Sequence, residues 1–315
     1  MKRLIKIIFY FSPAFIKKIL LKKNQQRQIA VAKERLKVKV SKEYVHNLFE
    51  KINIDSDVMV HSSLMDIGKV EGGYKTIVNE LSSKILESGH TLLVSALPYK
   101  GSSVEFLKNN PIFDVSKAEV ATGVINEYFA DLPEAARSLS PTHSVVAVGT
   151  KADYYTSEHH LYETPFSEKS PYYKLAVQNG KILMVGATLN HLTFCHLLED
   201  LIGMDFPVKV YGEKLYKVTV VNEHKQEYNA VFKGHNSFRS ALRSPEFVIK
   251  SLRNLPSTEI YPLGCSELII LDAKSVIIEL LKLLRNGQSI YGKVNPSKKC
   301  IEKIEFLLSY YKSEK

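Results

Sequence analysis

The sequence contains few cysteines, and they are not arranged for a redox or metal function. Its three cysteines are Cys195, Cys265 and Cys300, and no two of them form a CxxC pair or a zinc-finger spacing. An odd number of scattered cysteines does not build a disulfide framework, so we expect a reducing compartment such as the cytoplasm. We also expect no bound metal.

Four common catalytic signatures are missing from the chain. It contains no GxGxxG, no GxxxxGK[ST], no HExxH and no GxSxG pattern. These absences exclude dinucleotide-binding, P-loop, zincin and serine-hydrolase interpretations, because each needs those residues. Transfer of an acyl group between substrates that are not held covalently remains open.

Acidic residues are almost missing from the first 40 positions. Residues 1–40 hold twelve lysines and arginines and one acid, Glu34, whereas the rest of the chain holds 31 basic and 32 acidic residues. The formal net charge of +10 therefore belongs to the N-terminal segment. Because the body is close to neutral, we predict no nucleic-acid binding.

Long apolar runs are missing as well. In the N-terminal stretch MKRLIKIIFYFSPAFIKKILLKK the longest uncharged run is Ile7–Ile16, shorter than the roughly 18–20 residues of a spanning helix. No A-x-A-like cleavage site follows, which argues against a secretory signal. Aromatic residues beside lysines, with a break near Pro13, predict an amphipathic segment that touches an anionic inner membrane surface through residues 1–38. The alternative is a helix that packs on the body or on a partner subunit.

Beyond this basic helical extension, residues 1–40, we expect one domain over residues 41–315. Helix-like and strand-like segments alternate there, which predicts an α/β fold with a central mixed sheet flanked by helices. Period-two alternation after Gly203 predicts an additional antiparallel β lobe with a turn near Asn222–Lys225. The predicted strands are Asp57–Ser63, His90–Leu97, His143–Gly149 and Lys181–Ala187. The predicted helices are Tyr74–Ser88, Gly123–Phe129, Asp153–His160, Pro245–Leu255 and Lys274–Arg285.

The stretch LTFCHLLEDL, residues 192–201, carries polar side chains inside an apolar segment. We predict a helix for it, with Asn190 as N-cap, after the strand Lys181–Ala187. Thr193, His196 and Glu199 are three residues apart, so they share one helix face. Helices that start at the carboxyl end of a strand usually border ligand sites in α/β enzymes.

Three ordered stretches resemble the aminoglycoside 3-N-acetyltransferase family, over roughly residues 45–290. They are HSSL at 61–64 with IGKVEGG at 67–73, RSLSPTHSVVAVG at 137–149, and KILMVGATLNHLTFCHLLED at 181–200. In the last stretch Gly186, Thr193, His196 and Glu199 match the family's offsets. Two places depart from the pattern: Ser140-Pro141 stands where the family has His-Pro, and SALPYKG at 95–101 replaces a proline-threonine turn.

The resemblance implies an acetyl-CoA-dependent N-acetyltransferase without a metal. It implies that the thioester co-substrate is held by the motif residues His61, Ser62, Ser63, Leu64, Gly72, Gly73, Ser138 and Thr193. Backbone N–H groups of the Ser62–Leu64 turn would serve the pantetheine amides and a developing oxyanion. The structural alternatives are a core position for His61 and ordinary strand-end positions for Ser62 and Ser63.

Acyl transfer to an amine needs a base, because a primary amine is an ammonium at neutral pH. We predict His196 as that base and Glu199 as the carboxylate that fixes its tautomer. Thr193 would donate to the thioester oxygen or to the cofactor, and the alternative is an ordinary helix-start threonine. His143 is a further candidate for the site or a structural histidine. Cys195 would be the nucleophile in an alternative mechanism, but on a helix it faces about 100° away from His196.

The acceptor stays open between an aminoglycoside and an amino sugar on a nucleotide or lipid carrier. Aminoglycosides are polycations, and Glu199, Asp200 and Asp205 form only a modest acidic cluster. The basic extension suits an enzyme beside a membrane, as in relatives that serve surface-polysaccharide assembly. A non-catalytic, membrane-associated binding protein of the same fold is the competing function, and a homo-oligomer is possible.

Overall fold

A computed structural model describes residues 9–313, apart from the side chain at position 14. The first eight residues of the predicted extension lie outside the described residues. The α-helices of the described part are α1 (Ala14–Arg35), α2 (Lys42–Lys51), α3 (Leu64–Ile67), α4 (Tyr74–Leu81), α5 (Ser103–Asn109), α6 (Val124–Ala130), α7 (Ala152–Thr156), α8 (Pro171–Val177), α9 (Leu197–Ile202), α10 (Ser237–Ala241), α11 (Glu246–Arg253), α12 (Ala273–Arg285) and α13 (Lys298–Ser313). The strands are β1 (Lys39–Val40), β2 (Val58–Ser62), β3 (Lys69–Val70), β4 (Leu92–Ser95), β5 (Ile112–Asp114), β6 (Ala136–Arg137), β7 (Val145–Val148), β8 (Lys181–Val185), β9 (Tyr211–Val221), β10 (Glu227–His235), β11 (Glu259–Leu263), β12 (Ser266–Asp272), β13 (Gln288–Ser289) and β14 (Gly292–Lys293).

The central sheet is mixed, which confirms the predicted fold class. Its seven strands follow the order β11-β12-β8-β2-β4-β7-β6. The inner strands β8, β2 and β4 are parallel, and the outer pairs are antiparallel. The inner strands are almost entirely buried, as expected for parallel strands that are covered on both faces.

Each face of this sheet carries its own hydrophobic core. Side chains such as Met59 and Met184 pack on one face against α8, α12 and α13. Val60 and Val94 point to the opposite face and pack against α2, α4 and α6. The alternation follows from the two-residue period of a strand. The candidate site lies on the first face, beyond the ends of the parallel strands.

The β lobe contains the predicted hairpin and one further strand. β9 and β10 pair antiparallel, and residues 222–226 form the turn between them. β5 joins as a third strand parallel to β9, which the sequence pattern did not predict. Buried residues of all three strands, including Phe113, Val220 and Phe232, form a separate small core. This core fixes the end of β10, where His235 stands.

The segment over residues 189–202 is not the single helix that was predicted. Two 3-10 turns, Leu189–His191 and Thr193–His196, precede the α-helix α9. Leu192 is buried in the core and takes an extended conformation between the turns, which interrupts the helix. Asn190 as N-cap was therefore wrong: it lies inside the first turn, and its side-chain amide donates to the Thr188 hydroxyl at 3.5 Å.

The described part of the N-terminal extension is a long helix whose two ends contact the body. α1 begins directly after Pro13, where a break was expected. At its end Arg35 pairs with Asp66, and β1 then pairs in parallel with β3. Near the start the Tyr10 ring lies 4.9 Å from that of Phe238. Within residues 9–313 no helix is both long and apolar enough to cross a membrane.

Candidate active site

A cavity of about 680 Å³ opens beyond the carboxyl ends of β4 and β8. Its wall comes from parts of the segments 97–103, 189–196 and 235–245, together with His143 and Ile290. Loops after parallel strands are where open α/β sheets bind ligands. The volume lies within the roughly 300–1,000 Å³ range of small-molecule sites. This cavity is the candidate active site.

His196 and Glu199 form a buried hydrogen-bonded pair at this cavity. Nδ1 of His196 donates to Oε1 of Glu199 over 2.7 Å, so the Nε2 lone pair is left on the cavity side. Burial lowers the pKa of His196 below its usual value, although Glu199 opposes that shift. The imidazole is therefore neutral at neutral pH, which is the form that a general base needs.

Glu199 also accepts from two other side chains. His235 Nε2 lies 3.3 Å from Oε2, and the Tyr291 hydroxyl lies 2.6 Å from Oε1. Burial alone would raise the pKa of Glu199, but its interactions with His196 and His235 outweigh burial and hold the pKa well below its usual value. The carboxylate is thus ionised and held in place, as an orienting partner of His196 requires.

The same three groups are also a possible set of metal ligands. Ligand atoms of His196, Glu199 and His235 lie within 4.8 Å of one another, and two imidazoles with one carboxylate suit zinc. They hydrogen-bond directly to each other, however, and Tyr291 adds a further donor to the carboxylate. These contacts satisfy the groups without an ion, and a metal-free site stays a prediction.

Arg243 contacts the other side of the His196 ring. Its Nη1 lies 2.8 Å from Nε2, so the guanidinium donates to the lone pair that a base would use. The Arg243 Nε donates to the carbonyl of Ser240 at 3.2 Å, which holds the side chain over the cavity wall. The proton-accepting atom of His196 is therefore occupied by a hydrogen bond from the Arg243 guanidinium.

The remaining predicted catalytic residues line the same cavity. Thr193 is half-buried, one 3-10 turn before His196, and i and i+3 side chains eclipse in such a turn. His143 is buried, its ring centroid lies 5.2 Å from that of His235, and its Nδ1 has no partner among the described residues. Burial lowers its pKa far below the usual value. The structure thus brings all four residues together, and their roles remain predictions.

Cys195 also borders the cavity, but its thiol is poorly placed for nucleophilic catalysis. Burial, with a contribution from Glu199, raises the pKa of Cys195 to about 12. The thiolate that attacks an acyl carbon is then scarcely populated at neutral pH. This disfavours the cysteine-nucleophile alternative.

The predicted cofactor residues at the end of β2 do not line the cavity. The Ser62 hydroxyl donates to Oδ1 of Asn126 at 3.4 Å, and the Ser63 hydroxyl donates to Asp66 at 2.7 Å. Leu64 is half-buried against the second core. The Ser62–Leu64 turn nevertheless lies at the same end of the sheet as the cavity, because β2, β4 and β8 run parallel and their carboxyl ends are adjacent.

The other predicted cofactor residues are also away from the cavity wall. His61 is buried on the sheet face of Met59, and burial lowers its pKa to about 4. Gly72 and Gly73 form the turn before α4. Ser138 is fully buried, accepts from the Val145 amide at 2.9 Å and shares a hydrogen bond with His159. Of the eight cofactor residues only Thr193 borders the cavity, so the role of the others stays a prediction.

Sequence reasoning missed three side chains of this site: His235, Arg243 and Tyr291. His235 ends a strand of alternating residues directly after Gly234, and a histidine at a strand end was the one available signal. Arg243 and Tyr291 lie in irregular segments with no distinguishing pattern. Their positions follow from tertiary packing.

Gly186 shows why the motif needs a glycine after β8. Its φ is +73°, and a Cβ there would lie 2.6 Å from the Ser63 carbonyl oxygen and 2.4 Å from Ile67. Only glycine combines that backbone angle with so close an approach. The close contact joins the ends of β2 and β8, which carry the two predicted motif segments.

Comparison with known sequences agrees with the motif resemblance. Aminoglycoside N(3)-acetyltransferase III of Serratia marcescens is 32% identical over 154 residues, which are 45% of this chain and 56% of that protein. The prophage-derived acetyltransferase-like protein YokD of Bacillus subtilis is 28% identical over 192 residues, 54% of this chain and 70% of that protein. The chain thus matches little more than half the length of the first of these relatives.

Solved structures and a family model also match this chain. The structure described as AAC-IIIb binary with CoASH superposes with a TM-score of 0.64 at 20% identity, covering 82% of this chain and 99% of that one. A mutant of AAC(3)-IVa in complex with a gentamicin gives 0.63 at 18% identity, covering 85% and 97%. At these identities the likeness shows the fold. The family model described as aminoglycoside 3-N-acetyltransferase matches residues 59–250, and the chain belongs to that family.

Proposed function

We propose that this protein is an N-acetyltransferase that moves an acetyl group from acetyl-CoA to a primary amine of an amino sugar. The observation that carries the proposal is the buried His196–Glu199 pair, whose Nδ1–Oε1 distance is 2.7 Å, with Nε2 on the side of a ligand-sized cavity. Family membership and the CoA complex of a structural relative support the same chemistry.

The cavity fits the reacting end of acetyl-CoA. Ser102 and Thr193 lie in the wall, and we expect the Thr193 hydroxyl to bond an amide of the pantetheine arm. The co-substrate would supply an activated thioester carbon. The acceptor ammonium first releases one proton to solvent. His196 then takes a proton from the attacking amine as the new C–N bond forms to the acetyl carbon and the C–S bond breaks. The imidazolium then protonates the departing thiolate, so the enzyme ends unchanged.

Glu199 acts through His196 in this mechanism. Its charge holds the Nδ1–H tautomer and stabilises the imidazolium that forms during transfer. His235 and Tyr291 hold the carboxylate in turn, so that it cannot rotate away from His196. The amine is the nucleophile, and no acetyl-enzyme is formed.

Titration calorimetry with acetyl-CoA, followed by a thiol-release assay over a panel of amines, tests the function. We expect binding of acetyl-CoA and amine-dependent release of free CoA. Binding without turnover on any amine would favour a non-catalytic binding protein and overturn the proposal.

We also propose that α1 contacts an anionic membrane surface. Phe15 and Ile19 are 66% and 61% exposed on this helix, beside a series of lysines that includes Lys18 and Lys22. Exposed apolar residues next to basic ones suit an interface with anionic lipids, where each basic residue contributes about 1 kcal/mol.

The test for this contact uses point variants, because truncation through residue 38 would also remove the Arg35–Asp66 pair. We expect the full chain to co-sediment with phosphatidylglycerol vesicles and not with phosphatidylcholine vesicles. Phe15→Asp with Ile19→Asp should abolish binding, whereas Ile29→Asp, at a half-exposed site further along α1, should reduce it less. Equal behaviour of the full chain on both kinds of vesicle would refute the contact.

A further inference from the structure

The cavity wall lacks a carboxylate. Among the described residues that line it, the only side chain with a permanent charge is that of Arg243, and the other ionisable groups include four histidines: His143, His191, His196 and His235. Glu199 lies behind His196 with its oxygens bonded to His196, His235 and Tyr291. No negative charge of the described wall is therefore available to an ammonium group of a substrate.

Other charged side chains lie near Arg243 in the chain without bordering the cavity. Arg239 stands on α10, one turn before Arg243, and the Phe238 ring beside it packs on Tyr10 at 4.9 Å. The Lys17 ammonium lies 5.6 Å from the Tyr10 ring. Glu246 does not border the cavity, and it accepts from the Ser244 hydroxyl at 2.8 Å. None of these side chains borders the cavity, so Arg243 alone sets the permanent charge of the described wall.

This charge disfavours a polycationic acceptor and favours an anionic one. Within the proposed function, we propose that the acceptor is an amino sugar that carries a phosphate, and that Arg243 binds this phosphate. Arginine suits the task, since its planar fork of donors matches phosphate oxygens. The phosphate belongs to a sugar nucleotide or to a lipid-linked sugar phosphate.

The contact between Arg243 and His196 gives this assignment a second consequence. Nη1 of Arg243 donates to Nε2 of His196 at 2.8 Å, at the atom that must accept the amine proton. A phosphate offers a charged acceptor, which is a stronger partner than a neutral imidazole. An acceptor with a phosphate therefore draws the guanidinium away and exposes the base, whereas an acceptor without one has to displace it unaided.

The phosphates of CoA are not the partner of Arg243 in the reacting complex. The thioester carbon must lie beside the amine and therefore beside His196, which Arg243 touches. The diphosphate of CoA is separated from the thioester by the whole pantetheine arm. A residue in contact with the base is thus placed for the acceptor or for the acetyl carbonyl, and the experiment separates these two roles.

The experiment measures kcat/KM on matched pairs of amines. The pairs are 2-, 3- and 4-amino-deoxyhexoses with and without an anomeric phosphate, and gentamicin is the polycation. We expect the phosphorylated member to be preferred and gentamicin to be the poorest acceptor. For Arg243→Gln the ratio of phosphorylated to unphosphorylated kcat/KM should fall roughly tenfold to 100-fold, the size of one charge-assisted contact.

Arg239→Gln is the matched control, because it removes a charge from α10, just before Arg243 in the chain, without touching the cavity wall. It should leave that ratio within about twofold. Arg243→Lys should restore part of the preference, since it keeps the charge and loses the fork. Comparing nucleotide-linked with lipid-linked amino sugars then identifies the source of the phosphate.

Three results have distinct meanings. A preference for gentamicin would overturn the phosphate assignment and leave the proposed acetyltransfer intact. An equal loss on both members of each pair in Arg243→Gln would assign Arg243 to the acetyl carbonyl and also overturn it. Absence of turnover on every amine, with acetyl-CoA bound, would refute the proposed function itself.

Discussion

Glu199→Gln is the sharpest test of the proposed catalytic pair, because it removes one charge and changes few atoms. The Gln oxygen can still accept from Nδ1 of His196, which lies 2.7 Å from the present carboxylate. The negative charge that stabilises the imidazolium is lost. A buried hydrogen bond to a charged group contributes roughly 1.5–3 kcal/mol and a neutral one about 1 kcal/mol.

The expected loss follows from those values. Replacing the charge-assisted bond by the neutral one that Gln keeps removes roughly 0.5–2 kcal/mol of transition-state stabilisation, and each 1.36 kcal/mol changes a rate tenfold. We expect kcat to fall roughly 2- to 30-fold. The KM for acetyl-CoA should change little, because Glu199 lies behind His196 and away from the cavity wall.

The pH profile separates this role from a structural one. The base must be neutral, so kcat/KM rises with pH through the pKa of His196. Glu199 raises that pKa, and its removal must lower it. In Glu199→Gln the rise of kcat/KM that reports the pKa of His196 should therefore move to lower pH, and the maximal kcat/KM should fall. Both profiles are measured with the same amine.

Asp200→Asn is the control. Asp200 accepts from the Phe166 amide at 2.8 Å, and the side-chain oxygen of Asn can accept the same hydrogen bond. This variant should keep its kcat within a few-fold of the parent. If Glu199→Gln retained parental kcat and an unmoved pH limb, while Asp200→Asn lost activity, the wrong carboxylate would have been assigned to His196.

Three further predictions test the site and its support. His196→Ala should lower the transfer rate roughly 10²–10⁴-fold with acetyl-CoA affinity, measured by calorimetry, nearly unchanged; near-parental turnover would remove it from the mechanism. Cys195→Ala should stay active, and mass spectrometry after incubation with acetyl-CoA alone should find no acetyl group on the parent protein, whereas an acetylated Cys195 would refute direct transfer. Gly186→Ala should lower the free energy of unfolding by roughly 2–3 kcal/mol in denaturant titrations, because the added Cβ would meet a backbone carbonyl. Gly89→Ala, at a position with open space around it, should lower it by only about 1 kcal/mol. Equal losses in the two variants would contradict this reasoning.

The central sheet could be predicted from sequence because its inner strands are covered on both faces. Apolar runs such as KILMV at 181–185 leave few other structures open, and every predicted strand is present within two or three residues of its ends. The pairing partners were harder to predict. β5 is three residues long and joins β9 across the chain, and a strand of that length has no distinctive pattern.

The catalytic constellation was predicted although its local structure was not. An α-helix and a 3-10 turn both place residues i and i+3 on one side of the chain. Thr193 and His196 therefore meet the cavity together even though the expected helix is interrupted at Leu192. The spacing of the motif was sufficient, and the cap assigned to Asn190 was not needed for it.

The partners of the pair could not be predicted, because they come from distant parts of the chain. His235 is 36 residues from Glu199, Arg243 is 47 residues from His196, and Tyr291 is 92 residues from Glu199. These contacts depend on how the β lobe and the segment after β13 pack against the main sheet. Local propensity contains no information on that packing.

Charge near the motif shows why sequence neighbours are a poor guide to substrate charge. Glu199, Asp200 and Asp205 form an acidic cluster in sequence, which left a polycationic acceptor open. In the structure none of the three lines the cavity: Glu199 is bonded to His196, and Asp200 accepts from a backbone amide. The same segment instead presents its histidine to the cavity, opposite Arg243. Glu199 and Asp200 lie outside the cavity wall and accept internal hydrogen bonds, so they are not placed to bind an ammonium group of a substrate. The charge of the acceptor has to be inferred from the residues of the cavity wall.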